Sequence, residues 1–433
     1  MTTTRREPGR VSYGLGNLGA NIFSEAFATF ILFFYVDHLH APLGPITVAM
    51  SVQSVWHAVL NPTMGLLSDR TRSRWGRRLP WVAAGFLPLG LVFWLLWHPL
   101  VRGPGLVWYF FVVVALFDFL YLLVVINWTS LFPERFRTLH SRSQAAQWRQ
   151  IFGVLALIIG VSLPPVLYGR YGWSAMGVIL AVIGTGGFAA VVFGSRWVRP
   201  LPDTHAPAQN EPLWTPFWAV IREPGFWRYL VMNFLVQFVL VLVPASIPFF
   251  AKYVLHLAHS QLSVMLAATF VIALLSLYPW SRVIQRIGSH RAMLMAIAIM
   301  GLGVVPFFVV NDFIGGVSAT IVLGMGLGGF LMLVDIVMAE IIDAHQGRAG
   351  VRREGAFYGV NGFILRFGTT LEALIIYVVF HVTGYHSNAA GMATAEVRDG
   401  MRILMAAVPL LSLAIALVVF RRSPLAKQEF SGN

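Results

Sequence analysis

The sequence predicts an all-α membrane protein: twelve transmembrane helices in two six-helix halves. Three observations carry that expectation. Apolar runs long enough to cross a bilayer recur along all 433 residues. Only 11% of the residues are charged, where a soluble domain carries about a quarter, so lipid rather than water has to be the solvent for most of the surface. The basic residues gather in the short connections between the apolar runs, on alternate sides.

A span needs about 20 mostly apolar residues. Twelve such runs are predicted, at residues 11–36, 45–68, 79–98, 106–132, 142–168, 173–197, 226–252, 260–283, 290–310, 314–343, 355–383 and 402–420. The one long connection, residues 199–225, is rich in Pro and polar residues. It divides the chain into an N-terminal bundle, 1–198, and a C-terminal bundle, 226–433, and is too short to be a domain itself. Residues 1–10 are polar and basic, and the first apolar run is long enough to span, so no cleavable signal peptide is expected.

Orientation follows from Lys and Arg. Twenty-five of them fall on the side that carries both termini and the 199–225 connection, against five on the other: Arg102, Arg170, Lys252, Arg398 and Arg402. The positive-inside rule then puts both termini in the cytoplasm. An even number of spans independently requires the termini to share a side. The expected location is the cytoplasmic (inner) membrane of a bacterium or archaeon. The same distribution argues against a nucleic-acid partner despite the net charge of +13.

Polar residues inside the spans mark the candidate site, because an ionisable side chain at mid-membrane costs several kcal/mol. Span one carries Asn17, Asn21 and Glu25, one stripe with a period of four. Span two repeats the pattern with Gln53, His57 and Asn61. Asp118 lies in span four, Asn233 and Gln237 in span seven, and Arg366 and Glu372 in span eleven. Arg149 and Asp335 are placed nearer the cytoplasmic side. Such stripes cannot face lipid, so a central polar cavity is expected. Each group also has a structural reading. The amides serve as interhelical glue, His57 hydrogen-bonds a carbonyl, and Arg366 pairs with a neighbouring helix. For Glu372 the structural reading is an acid at the outer mouth, in contact with water.

No cysteine occurs, which excludes disulfides and thiol chemistry. No P-loop, H-E-x-x-H or G-x-S-x-G is present, so a membrane-embedded enzyme is the weaker reading from another class. No cofactor or metal is expected.

A Gly- and Arg-rich loop joins spans two and three, Gly65 to Arg78, and a related one joins spans eight and nine, Arg282 to Arg291. The same loop at the same place in each half is what a parallel repeat predicts. Its pattern resembles the signature inner loop of the major facilitator superfamily, and implies that fold. The run Trp56-His57-Ala-Val-Leu-Asn61-Pro62, continuing through Asp69-Arg70 to Arg77-Arg78-Leu-Pro80, narrows the choice. With Tyr13-Gly-Leu-Gly16, Ser130-Leu-Phe-Pro133-Glu134, Trp148-Arg149 and Arg353-Glu354-Gly355, it resembles the glycoside–pentoside–hexuronide:cation symporters, the melibiose permease family.

The resemblance implies a secondary transporter for a small polar solute, a sugar or sugar derivative, working by alternating access. It also implies where the pattern departs. The family's helix-two motif is W-D-A-x-x-D-P, whose two aspartates hold sodium, lithium or protons. His57 and Asn61 stand at those positions here. Hard cations want anionic oxygen, so protons are the expected coupling ion and sodium is not. By the family's layout Asp118 lies near helix two, so His57 is expected within reach of Asp118, and His57, Asn61 and Asp118 form the coupling group. The helix-one aspartate that binds sugar falls on Asn21, and the family's helix-eleven lysine falls on Arg366. Asn21, Glu25, Trp128, Arg149, Gln237 and Arg366 are the expected substrate ligands. Asp69, Arg70, Arg142, Glu340 and Arg353 are the expected gate. Two cationic groups would suit an acidic sugar. A lysolipid or other amphiphile, or an uncoupled facilitator, remains open as an alternative. The protein is expected to be a monomer.

The orientation is testable with an impermeant label. Cysteine placed at Gln209 should stay unlabelled in intact cells and react after permeabilisation. Labelling from outside intact cells would reverse the assignment.

Overall fold

The computed structural model describes residues 9–69, 71, 73, 75–136, 139–195, 223, 225–349, 354–385 and 394–423. They are helical almost throughout, and the chain divides into two compact units, Met1–Ala206 and Pro207–Asn433.

In the first unit α1 (Arg10–Leu32) runs into a π-helical segment, Phe33–His38. Then follow α2 (Leu43–Asp69), α3 (Leu79–Trp97), α4 (Leu106–Arg135), α5 (Leu139–Ser162), α6 (Pro164–Tyr171) and α7 (Trp173–Ser195). The predicted fifth span is thus two helices. Pro164 and Pro165 have no N–H to donate to the preceding turn, so α5 stops before them and α6 starts on them. Gly172, at φ 82°, makes the turn into α7, a conformation that costs a glycine nothing.

The second unit holds α8 (Phe226–Tyr253), α9 (His259–Ile287), α10 (Ser289–Val304), α11 (Phe313–Ala349), α12 (Glu354–Leu365), α13 (Phe367–Val382), α14 (Ala395–Arg402) and α15 (Val408–Arg421). A 3₁₀ turn, Val305–Phe308, ends α10, and a π-helical segment, Ile403–Ala407, joins α14 to α15. Only Gly288, at φ 81°, separates α9 from α10. Each predicted span therefore coincides with a helix or a helix pair. Eleven helical stretches among the described residues meet the length and hydropathy of a membrane span, and α2 is the twelfth path.

The two units repeat one packing plan. In the first, α1 packs on α5 and α7, α2 on α4, and α3 on α4 and α7. In the second, α8 packs on α13 and α15, α9 on α11, and α10 on α11 and α15. Each unit thus joins its first span to its fifth and sixth, its second to its fourth, and its third to its fourth and sixth.

Association in lipid relies on close packing rather than on expulsion of water, so small residues sit where helices touch. A Cβ on Gly187 of α7 would lie 2.5 Å from the Leu15 carbonyl oxygen of α1. One on Gly324 of α11 would lie 2.3 Å from the Thr269 carbonyl oxygen of α9. At the far end of the first unit an aromatic cluster closes the bundle. Trp173 stacks on Tyr168 and Trp97 at centroid distances of 4.0 and 5.7 Å, as befits an interfacial belt.

Candidate functional site

In the first unit, the polar groups split into those used for packing and those left over. The α1 stripe leans on α5. Asn17 Nδ2 donates to the Arg149 carbonyl at 2.8 Å, and Asn21 Nδ2 donates to the Gly153 carbonyl at 3.4 Å. Both amides therefore do the interhelical work that is the structural alternative for such residues. Glu25, two turns beyond Asn17, is half-buried, with its Cβ side against Gly160 of α5. No described residue pairs with its carboxylate.

Trp128 lies deep in the unit, 1% exposed. Its Nε1 donates to the Tyr13 carbonyl at 3.1 Å, and its ring stacks on Tyr13 at 5.4 Å. The Arg149 guanidinium rests over the indole ring, 5.5 Å from its centroid. No described carboxylate pairs with Arg149. Trp128 thus acts as a platform under Arg149. Tyr13, which sequence reasoning did not include among site residues, completes the platform; only its place in the Tyr13-Gly-Leu-Gly16 run hinted at it.

Between α2 and α4, His57 Nδ1 lies 2.6 Å from Asp118 Oδ1. The two residues are 5% and 4% exposed. Neither is satisfied by the other alone. His57 Nε2 and Asp118 Oδ2 are both buried without a hydrogen-bond partner. The pair is thus a closed polar island with one nitrogen and one oxygen in reserve. Asn61 continues the same helix, but its side chain lies outside the described residues, as does that of Asp69. Arg70 and Arg353 also lie outside them. Arg142 is exposed, and its Nε donates to the Phe136 carbonyl at 2.8 Å.

In the second unit, Asn233 Nδ2 of α8 donates to Asn361 Oδ1 of α12 at 2.9 Å, which fixes the register of those helices. Gln237, one turn on, is half-buried and has no described partner. Arg366 stands on the turn where α12 ends and α13 begins, and its side chain is exposed. Span eleven is therefore discontinuous at its own arginine. Glu340 accepts from Ser289 Oγ at 2.6 Å.

Two findings depart from the sequence analysis. Glu372 is not in contact with water at the mouth. It is 2% exposed, on the face of α13 that packs on α8. Glu223, which falls in the connection 199–225 expected to be a polar linker, is buried against the end of α11. Its Oε2 lies 2.8 Å from His345 Nδ1, and its Oε1 pairs with Arg348. Nothing in the local sequence distinguishes Glu223 from other linker acids.

A family model described as MFS/sugar transport protein matches residues 12–427. The chain is 25% identical to an isoprimeverose transporter of Lactiplantibacillus pentosus, over 89% of this chain and 82% of that one. It is also 25% identical to a glucuronide carrier protein homolog of Escherichia coli, over 97% and 93%. A crystal structure of the nucleoside transporter NupG superposes with a TM-score of 0.65 at 13% identity, covering 95% of this chain and 97% of that chain. That likeness speaks for the major facilitator fold alone.

The His57–Asp118 island predicts a strong energetic coupling. Asp118→Leu or His57→Leu alone leaves a buried polar group orphaned, which costs about 1–3 kcal/mol beyond lost packing. The double variant removes both and should recover part of the loss. Thermal unfolding of the four proteins in detergent should give a coupling of about 0.5–3 kcal/mol. Additive losses would mean that the contact is not formed.

Proposed function

Because this chain belongs to the MFS/sugar transport protein family, we propose that it carries a sugar or sugar derivative across the cytoplasmic membrane in symport with protons. It works by alternating access, with both termini and the 199–225 connection on the cytoplasmic side. The observation that carries the coupling ion is the His57–Asp118 pair, 2.6 Å apart and buried, at the place where the family's pattern has carboxylates for cations. An imidazole changes charge in the range where bacterial surroundings vary. A carboxylate hydrogen-bonded to it gives the arriving proton a counter-charge, and the vacant Nε2 is the atom that exchanges it. A hard cation would find one carboxylate and an imidazole, a poor oxygen cage.

Substrate recognition is assigned to Asn21, Glu25, Trp128, Arg149, Gln237 and Arg366, with Trp128 acting as the platform for Arg149. Arg149 is held in place by the Trp128 face, so the guanidinium keeps its donors for the ligand. Two arginines favour a solute with an acidic group. Asn21 has already spent one N–H on Gly153 and offers its remaining polar capacity. Asp69, Arg70, Arg142, Glu340 and Arg353 are assigned to the cytoplasmic gate. Residues 1–198 and 226–433 are the two moving halves.

The test begins with a thermal-shift screen of sugars, uronic acids and lysophosphatidylcholine on the purified protein. Uptake of the stabilising compound into vesicles is then followed under a pH gradient, with and without sodium. Wild type should accumulate it with the pH gradient alone, and His57→Gln should only equilibrate it. Sodium-driven accumulation, or full accumulation by His57→Gln, would sink the mechanism, and a response to lysophosphatidylcholine alone would replace the sugar with an amphiphile.

A further inference from the structure

α13 turns one face to α8. Its buried residues are Gly368, Glu372, Ala373, Ile376 and Phe380, of which Gly368, Glu372, Ile376 and Phe380 recur every four positions as a helix stripe requires. Four contacts fix the register of this pair of spans. Asn233 meets Asn361 at 2.9 Å, and Gly368 faces the Phe238 backbone. Phe249 and Phe380 have ring centroids 5.1 Å apart, and the Tyr253 and Tyr385 hydroxyls are 3.4 Å apart. Both series ascend together, so the helices run parallel. The register sets Glu372 between the levels of Phe238 and Phe249, across from Leu242 and Ala245, which have no exposed surface.

Glu372 is 2% exposed, and no described residue forms a hydrogen bond or an ion pair with it. The titratable groups on the elements packed against α13 are at their ends. They are Arg228, Tyr229, Lys252 and Tyr253 on α8, Glu354 and Tyr358 on α12, and Glu396, Arg398, Asp399 and Arg402 on α14. The Ile403–Ala407 segment has none. On its own helix the nearest are Arg366 before it and Tyr377 and His381 after it. In this stretch α8 supplies one polar side chain, Ser246, whose hydroxyl is buried without a partner. A carboxyl in such a place is expensive, and an expensive intramembrane acid marks a proton or ion pathway by default. It also stands on a helix joined to α12 only through the turn at Arg366.

We propose that Glu372 is a second proton-binding group, one that takes up and releases a proton as α13 parts from α8 at its level and water reaches the carboxyl. The proton is bound and released with no other chemistry, and this site is independent of the His57–Asp118 pair in the other unit.

The test needs no substrate. Full-length protein in bilayers is stepped from acidic to alkaline pH and followed by infrared difference spectroscopy in the carboxylic C=O region. Wild type should lose a band from a buried protonated acid. Glu372→Gln should lack that band, Asp118→Asn should keep it, and Glu372→Asp should show it at a shifted frequency. The aspartate variant decides the matter should the glutamine variant fail to fold. A band pattern that is identical in wild type and Glu372→Gln, or unshifted in Glu372→Asp, would overturn the proposal.

Discussion

Hydrocarbon offers no hydrogen-bond partner, so each polar atom placed in a span must find one inside the protein. Much of this structure reads as the consequence. The backbone answers with helices. The amides of α1 answer by donating to α5, Asn233 answers by donating to Asn361, and the indole of Trp128 answers by donating to Tyr13. Once these are accounted for, the groups that remain unmatched stand out. They include His57 Nε2 and Asp118 Oδ2, and with them goes the buried Glu372, an acid for which no described residue supplies a partner. Burial without a full set of partners is costly in a stable scaffold. On the proposed reading it is the condition for picking up a proton in one state and giving it away in another.

On the proposed reading, the His57–Asp118 pair supplies a proton-binding group where the chain departs from its family's pattern. Where that pattern holds two carboxylates on helix two, this chain has His57 and Asn61 on α2, and a carboxylate on α4. The contact across the α2–α4 interface brings acid and base together at 2.6 Å. On that reading, one acid beside an imidazole suits a proton better than a hard metal cation, which wants several oxygens. Arg149 shows the same economy. Its counterpart is an aromatic face, so its charge is steadied without being neutralised.

Much of the fold is legible in the sequence because its two strongest signals are physical necessities: apolar length and the confinement of charge to connections. The break in the fifth span at Pro164-Pro165 is hidden in sequence by the apolar run 142–168, which passes across it. The break at Arg366 is not legible, since neither Pro nor Gly stands at Leu365, Arg366 or Phe367. The repeat is faint in sequence, where only a Gly/Arg loop betrays it. In structure it is plain, because the order of helix contacts is preserved while the residues making them are not. The site is legible in part. Depth and the family pattern bring His57 to Asp118. Periodicity cannot say which face of α13 meets α8, which is why Glu372 reads as a solvated acid from sequence and is a buried one in the fold. Glu223 is invisible for the same reason, its partners His345 and Arg348 being more than a hundred residues away.

The account rests on a proton held by the His57–Asp118 pair, and the nitrogen atoms of that imidazole report it directly. Solid-state NMR of protein in bilayers with ¹⁵N-labelled histidine, assigned by His57→Gln, follows the ring as the medium is acidified. The account predicts that His57 is seen in both neutral and doubly protonated forms, and that Asp118→Asn alters the balance between them. A His57 ring that stays in one neutral tautomer throughout, with or without Asp118, would contradict it.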